Sequence, residues 1–169
     1  CPFQYFGIAD VVDLSAVSWR GGKYAGAELE EAYLRRGSDA VALVLTQTDR
    51  IVTDWRRMKA LGFCVSIRLA EYMADQFRTH GVPSIALTSN SSEEERRTAL
   101  RDLRSGAINV IFSVDLFNEG VDIPQADTLI FLRATESASV FLQQLGRGLR
   151  LCEGKPCATV LDFVGLQHR

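Results

Sequence analysis

From residue 62 onward the chain alternates short apolar runs with amphipathic helical stretches, and that alternation leaves few folds open to it. Phe63-Cys64-Val65-Ser66-Ile67 is short and apolar enough to be a buried strand. It feeds a helical pattern whose apolar face is Leu69, Ala70, Met73 and Phe77, closed by Gly81 and Pro83. Ile85-Ala86-Leu87 reads as the next strand. Ser91 with Glu94, or Ser92 with Glu95, then has the spacing of a capping box that starts a helix ended by Gly106. Ile108 to Val114, Thr128 to Leu132 and Ala158 to Val164 supply further strands. Strands interleaved with helices at this rhythm require right-handed crossovers. The expected fold is therefore α/β, a three-layer domain with a mainly parallel sheet covered by helices on both faces. In such sheets ligands gather beyond the C-terminal ends of the strands.

Upstream the pattern is poorer. Pro2, Gly7, the Gly21-Gly22 pair and Gly26 punctuate short apolar patches, so residues 1 to 26 are expected to be a lead-in with little regular structure. Ala27 to Arg36 carries Leu29, Ala32 and Tyr33 at helical spacing and is stopped by Gly37. Val41, Val44, Ile51, Trp55 and Met58 extend a second helix from Asp39 through Lys59. The expected organisation is a lead-in and linker with one short helix over 1–38, then a domain over 39–169. Cys1 at the start, and Gln167-His168-Arg169 directly after an apolar strand, read as cuts through a longer protein.

Composition narrows the function. A chain of 169 residues, 47% hydrophobic and 24% charged, builds one well-buried core. A formal charge of -2 provides no global attraction to nucleic acid, which argues against a simple basic DNA-binding module and leaves local contacts. No apolar run approaches the roughly 18 residues of a membrane span and no signal segment opens the chain, so a cytoplasmic protein without a membrane partner is expected. Cys1, Cys64, Cys152 and Cys157 lack paired CxxC spacing and are too few for a disulfide scaffold. They read as reduced thiols, with no metal site.

Three groups of residues could carry chemistry. In the stretch 141–150, Gln143, Arg147 and Arg150 fall at i, i+4 and i+7, one amide and two guanidiniums on a single helical face. Gly146 and Gly148 sit among them although each costs about 1 kcal/mol relative to alanine in a helix, which suggests close approach of a ligand to the backbone. Such a face reads as a phosphate sensor or, more plainly, as a solvated helix. In Asn118 to Pro124, Gly120 lets the backbone pass near a ligand and Asp122 can accept from a ribose hydroxyl; an ordinary turn explains the same residues. Ser66, Thr88, Ser89 and Ser113 place hydroxyls at strand ends, either as an uncharged phosphate track or as N-caps. Trp19 and Trp55 read as packing residues, and His80 as a solvated helix cap.

Together, Phe63-Cys64-x-Ser66, Ser113 to Pro124, and Gln143-x-x-Gly146-Arg147-x-x-Arg150 resemble motifs IV, V and VI of superfamily 2 helicases, in the right order. The resemblance covers about residues 60 to 165 and is closest in kind to the second RecA-like domain of restriction-enzyme and DNA-repair type DEAD/DEAH translocases. It implies a RecA-like domain of an ATP-dependent DNA helicase, with ATP and Mg2+ used by the full-length protein and none held tightly by this part. It also implies residue roles. Arg147 and Arg150 would meet the γ-phosphate, Arg150 as arginine finger, while Gly120 and Asp122 would meet the sugar side and Gln143 would link nucleotide state to the domain interface. Ser66, Thr88, Ser89 and Ser113 would touch the backbone of DNA, with RNA left open. The implied partner is an N-terminal RecA-like domain of the same polypeptide. Val114 stands where family members often carry threonine, and Leu69 where they carry histidine. The chain has no Gly-x-x-x-x-Gly-Lys-Ser/Thr loop and no Asp-Glu pair after an apolar strand, so it is expected to be half an ATPase and inactive alone. The alternatives are a non-catalytic RecA-like module that binds nucleic acid or protein and, more distantly, a nucleotide-sugar transferase domain.

Overall fold

The computed structural model of the chain describes residues 4–13, 17–20, 23–24, 26–35, 37–52, 54–114, 126–132 and 158–166. In these, strands β1 (Gln4–Asp13), β4 (Ala60–Cys64), β5 (Ser84–Leu87), β6 (Val110–Ser113), β7 (Thr128–Leu132) and β8 (Thr159–Leu166) form one sheet. Its order is β1-β8-β7-β4-β6-β5, and every neighbouring pair is parallel. Strands β2 (Trp19–Arg20) and β3 (Lys23–Tyr24) form a separate antiparallel hairpin. Helices α1 (Gly26–Arg35) and α2 (Gly37–Ile51) precede β4; α3 (Ile67–Thr79) joins β4 to β5, and α4 (Glu93–Ser105) joins β5 to β6.

The two faces of the sheet follow from strand alternation. Ala60, Cys64, Val110, Phe112, Ile130, Leu132, Leu161 and Phe163 belong to one buried cluster with Val41 and Val44 of α2 and Leu69, Met73 and Phe77 of α3. Leu61, Phe63, Ile111, Leu129, Phe131 and Val160 point the other way, toward Ala99 and Leu103 of α4. From β4 the chain crosses outward past β6 to β5 and then returns to β6, and right-handed crossovers taken in opposite directions put α3 and α4 on opposite faces. This is the expected three-layer arrangement. Gly62 is required by close approach: a Cβ there would lie 2.4 Å from the ring of Phe112, which packs edge-on against Phe77 with centroids 5.0 Å apart.

The structure corrects several sequence expectations. Residues 1 to 26 are not simply irregular, because Gln4–Asp13 is a strand that pairs with β8 in the main sheet. Gly7 interrupts its apolar pattern, which hid the strand from periodicity. The second helix does not run through Lys59; it stops at Ile51, and Asp54 caps a separate 3-10 turn, Trp55–Arg57, by accepting from the Arg56 amide at 3.1 Å. The first predicted strand lies earlier, at Ala60–Cys64, because Ser66 caps α3 and Ile67 is its first residue. The expected stops hold: Gly81 and Gly106 both have φ of 83°. The capping box is the Ser92–Glu95 pair.

Candidate functional site

The sheet brings the hydroxyl residues to one edge. β4, β6 and β5 are neighbours, with Phe63 opposite Ser113 and Ser113 opposite Leu87. Ser66 follows the end of β4, Thr88 and Ser89 follow β5, and Ser113 ends β6. Adjacent strands are about 4.8 Å apart, so residues distant in sequence occupy one short row at the C-terminal ends.

Each member is held differently. The Ser66 hydroxyl accepts from the Leu69 amide at 3.1 Å, so it serves as the N-cap of α3. Thr88 starts a tight turn: its carbonyl accepts from the Ser91 amide at 3.0 Å, and its own amide donates to the Ser91 hydroxyl at 2.9 Å. The Thr88 hydroxyl accepts from the Asn90 amide at 3.2 Å, and a hydroxyl that accepts can still donate. Ser89 is exposed beside it. Ser113 is fully buried, and its hydroxyl has no hydrogen-bond partner among the described residues. Buried polar groups are seldom left in this state, and the exceptions mark sites that something else completes.

Arg96 belongs to this group although it did not stand out in sequence. It shares a face of α4 with Ala99 and Leu103, which pack on the sheet, and one of its terminal nitrogens donates to the Thr88 carbonyl at 3.4 Å. Its Nε is buried without a partner. The usable signal was its i, i+3, i+7 relation to Ala99 and Leu103: a guanidinium in the apolar stripe of a helix has been placed there against the usual preference.

On the same cross-strand row as Ser113 and Phe63 lie Phe131 of β7 and Asp162 of β8. The Phe63 and Phe131 rings stack at 5.1 Å. Asp162 accepts a short hydrogen bond from the Tyr5 hydroxyl of β1. Burial raises the Asp162 carboxyl above the usual carboxylate range, opposed by the Tyr5 hydrogen bond. Tyr5 is pushed up to about 12 by desolvation of its hydroxyl end, reinforced by the hydrogen bond to Asp162 and the charge there. Gly120, Asp122, Gln143, Arg147 and Arg150 lie outside the described residues. Cys64 is buried in β4, His80 caps α3 with Nδ1 2.7 Å from the Gln76 carbonyl, and Trp55 packs at the rim of the core. Among the described residues no helix is long and apolar enough to cross a membrane.

A parallel sheet between two helical layers, with a row of hydroxyls beyond the C-terminal ends of three neighbouring strands, is the architecture that RecA-like domains have. The chain belongs to the helicase conserved C-terminal domain family, whose model matches residues 42–152. It is 27% identical over 167 residues to a 51.5 kDa protein of Lactococcus phage (isolate 7-9), covering 99% of this chain and 35% of that protein. It is 38% identical over 107 residues to UvrABC system protein B of Chlorobium limicola, covering 59% of this chain and 15% of that protein. The chain thus spans about a third or less of these relatives. Among solved structures, the Escherichia coli DEAD-box protein SrmB, bound to regulator of ribonuclease activity A, superposes with a TM-score of 0.64 at 17% identity. That match covers 96% of this chain and 77% of the matched chain in that structure, and it shows the shared fold of the C-terminal domains of superfamily 2 helicases.

Proposed function

We infer that this chain is the C-terminal motor domain of an ATP-dependent DNA helicase or translocase, working against an N-terminal RecA-like domain of the same polypeptide. The observation that carries the reading is the row of hydroxyls beyond β4, β6 and β5, in which the Ser113 hydroxyl and the Arg96 Nε are buried with no hydrogen-bond partner among the described residues. Hydroxyls, a half-buried guanidinium and a helix N-terminus can follow a phosphate backbone without a basic surface. Ser66, Thr88, Ser89, Ser113 and Arg96 are assigned to that track. The similarity to a UvrABC system protein B favours a DNA-repair setting.

For ATP and Mg2+, which would supply the phosphoanhydride and its counter-charge, the groups of this chain are Gly120 and Asp122 on the sugar side and Gln143 at the domain interface. Arg147 and Arg150 would bind the developing negative charge on the γ-phosphate. An arginine finger is worth on the order of 10³ to 10⁵ in rate, so the isolated chain should be inert. The test is ATP turnover by the full-length parent, with and without duplex DNA, compared with its Arg150→Ala variant. DNA-stimulated turnover that falls at least about 10³-fold in the variant supports the assignment. Unchanged turnover removes Arg150 from the mechanism, and a folded parent that hydrolyses no ATP on any nucleic acid is a binding module instead.

A further inference from the structure

Helix α4 starts beside the hydroxyl row and runs back across the sheet toward the N-terminal strand ends, and its outer face is basic. The first turn holds Glu93, Glu94 and Glu95, which complement the positive end of the helix dipole. From Arg96 onward the helix carries four arginines, Arg96, Arg97, Arg101 and Arg104, and a single carboxylate, Asp102. Ala99 and Leu103 bury its other side against the sheet. Arg97, Arg101 and Arg104 fall at i, i+4 and i+7, within about 60° of one another around the axis and over about 10 Å along it. All three are exposed. Lys59 extends the line past the last turn, because its ammonium donates to the Arg104 carbonyl at 2.7 Å.

The fold does not use these cations. Among the described residues the guanidiniums of Arg97 and Arg104 make no ion pair. Glu93 and Arg97 have the i, i+4 spacing of an ordinary helix-surface pair, yet the pair is not formed. Arg101 is joined to its neighbour Asp102 at 3.3 Å, an exposed contact of the kind that contributes little. The helix dipole accounts for Arg104 in the last turn, but its effect is confined to the helix ends and does not reach Arg97.

We propose that this face of α4 is a second nucleic-acid contact, a basic strip that takes the phosphate backbone of a strand as it passes beyond the hydroxyl row. The proposal rests on that row being a nucleic-acid track. Arg96 joins the two surfaces: a terminal nitrogen of its guanidinium donates to the Thr88 carbonyl at 3.4 Å, at the row, and Arg97 follows it on the exposed side of the helix. In a protein of net charge -2, a line of unengaged guanidiniums is a local surface for a polyanion. Arginine forks match phosphate oxygens, and phosphate contacts carry no sequence information. The strip therefore adds affinity and sets the direction of the strand without reading bases. An acidic protein segment would meet the same charges but has no reason to continue from the row.

The test is the binding of oligothymidylates of increasing length, over a range of salt, to the full-length parent and to a variant carrying Arg97→Gln, Arg101→Gln and Arg104→Gln together. Glutamine has a helix propensity close to that of arginine, so α4 is retained. The difference between the two proteins is expected to grow with strand length. For the longest strands the slope of log K against log salt should be flatter in the variant by about 2, at about 0.7 for each arginine. A difference independent of length overturns the strip, because it assigns the arginines to the row or to the general field of the protein. Equal slopes at every length overturn it while leaving the row in place. A poly-glutamate peptide that binds more tightly than the longest strand, and loses that binding in the variant, makes the face a protein-docking surface instead. A parent that binds no strand of any length removes the nucleic-acid reading of the row, and the strip falls with it.

Discussion

Ser113 has a hydroxyl with no exposure and no partner among the described residues, an arrangement that costs folding free energy rather than supplying it. Ser113→Ala should therefore leave stability unchanged or raise it by up to about 1 kcal/mol. The same change should weaken single-strand binding by the full-length parent. Urea unfolding and binding measured side by side check this, and a loss of stability would assign the hydroxyl a structural role instead. Tyr5 makes the complementary case. In the folded chain its phenol keeps its proton up to about pH 12, whereas the unfolded chain releases it near 10.0. Stability must therefore fall as pH rises through that window, because the folded state binds more protons there. In Tyr5→Phe the urea midpoint should decline less steeply between pH 10 and 12, the window set by those two values. Asp162 acts in the same sense at lower pH: its raised carboxyl favours the protonated folded state, and that contribution is lost as pH climbs past the ordinary carboxylate range.

At the scale of elements, α4 is the piece whose sequence and structure agree most closely. The Ser92 hydroxyl accepts from the Glu95 amide at 3.1 Å, the Glu95 carboxylate accepts from the Ser92 amide at 2.7 Å, and Gly106 closes the other end in the left-handed conformation. Ser92→Ala should cost about 0.5 to 2 kcal/mol, read as a lowered urea midpoint. All the signals for this helix are local, and so they were legible. The end of α2 was not. Trp55 and Met58 continue its apolar spacing, but the chain leaves the helix at Ile51. Asn109, more than fifty residues away, donates its side-chain amide to the carbonyls of Arg56 at 2.9 Å and Met58 at 3.0 Å. These long-range bonds hold the 3-10 turn against β6, and no window along the chain contains both partners.

For the whole molecule, the proposed function turns on how a chain of net charge -2 would engage a polyanion. If the track consists of hydroxyls and backbone amides, few counterions are released on binding. With Arg96 as the described cation on that track, the track should contribute a slope of about -0.7 to a plot of log K against log salt for single strands. Replacing Arg96 by Gln in the full-length parent should flatten the slope by about that amount. A slope unaltered by that change would place Arg96 outside the track.

The sequence by itself determined the α/β class, the helix α3 with its stop at Gly81, the helix α4 between a Ser91 or Ser92 cap and Gly106, the strand β7 at its observed limits and the family. Each of these rests on periodicity, on capping chemistry within a few residues, or on motifs in order. It also named Ser66, Thr88, Ser89 and Ser113 as separate strand-end residues. Only the tertiary structure decided the strand order, which sets β4, β6 and β5 side by side and makes those hydroxyls a row. It likewise decided that Gln4–Asp13 is a strand of the main sheet, since its partner β8 lies about 150 residues further along the chain, as the pairing of Gln4 with Thr159 shows. Arg96 is the same lesson in one residue. Its α4 neighbours predict a helical position, but burial of its Nε beside Thr88 exists only once the helix is packed on the sheet. Hydrogen-bond and packing partners brought together by chain crossovers have no local signature, and for that reason the site emerged with the fold.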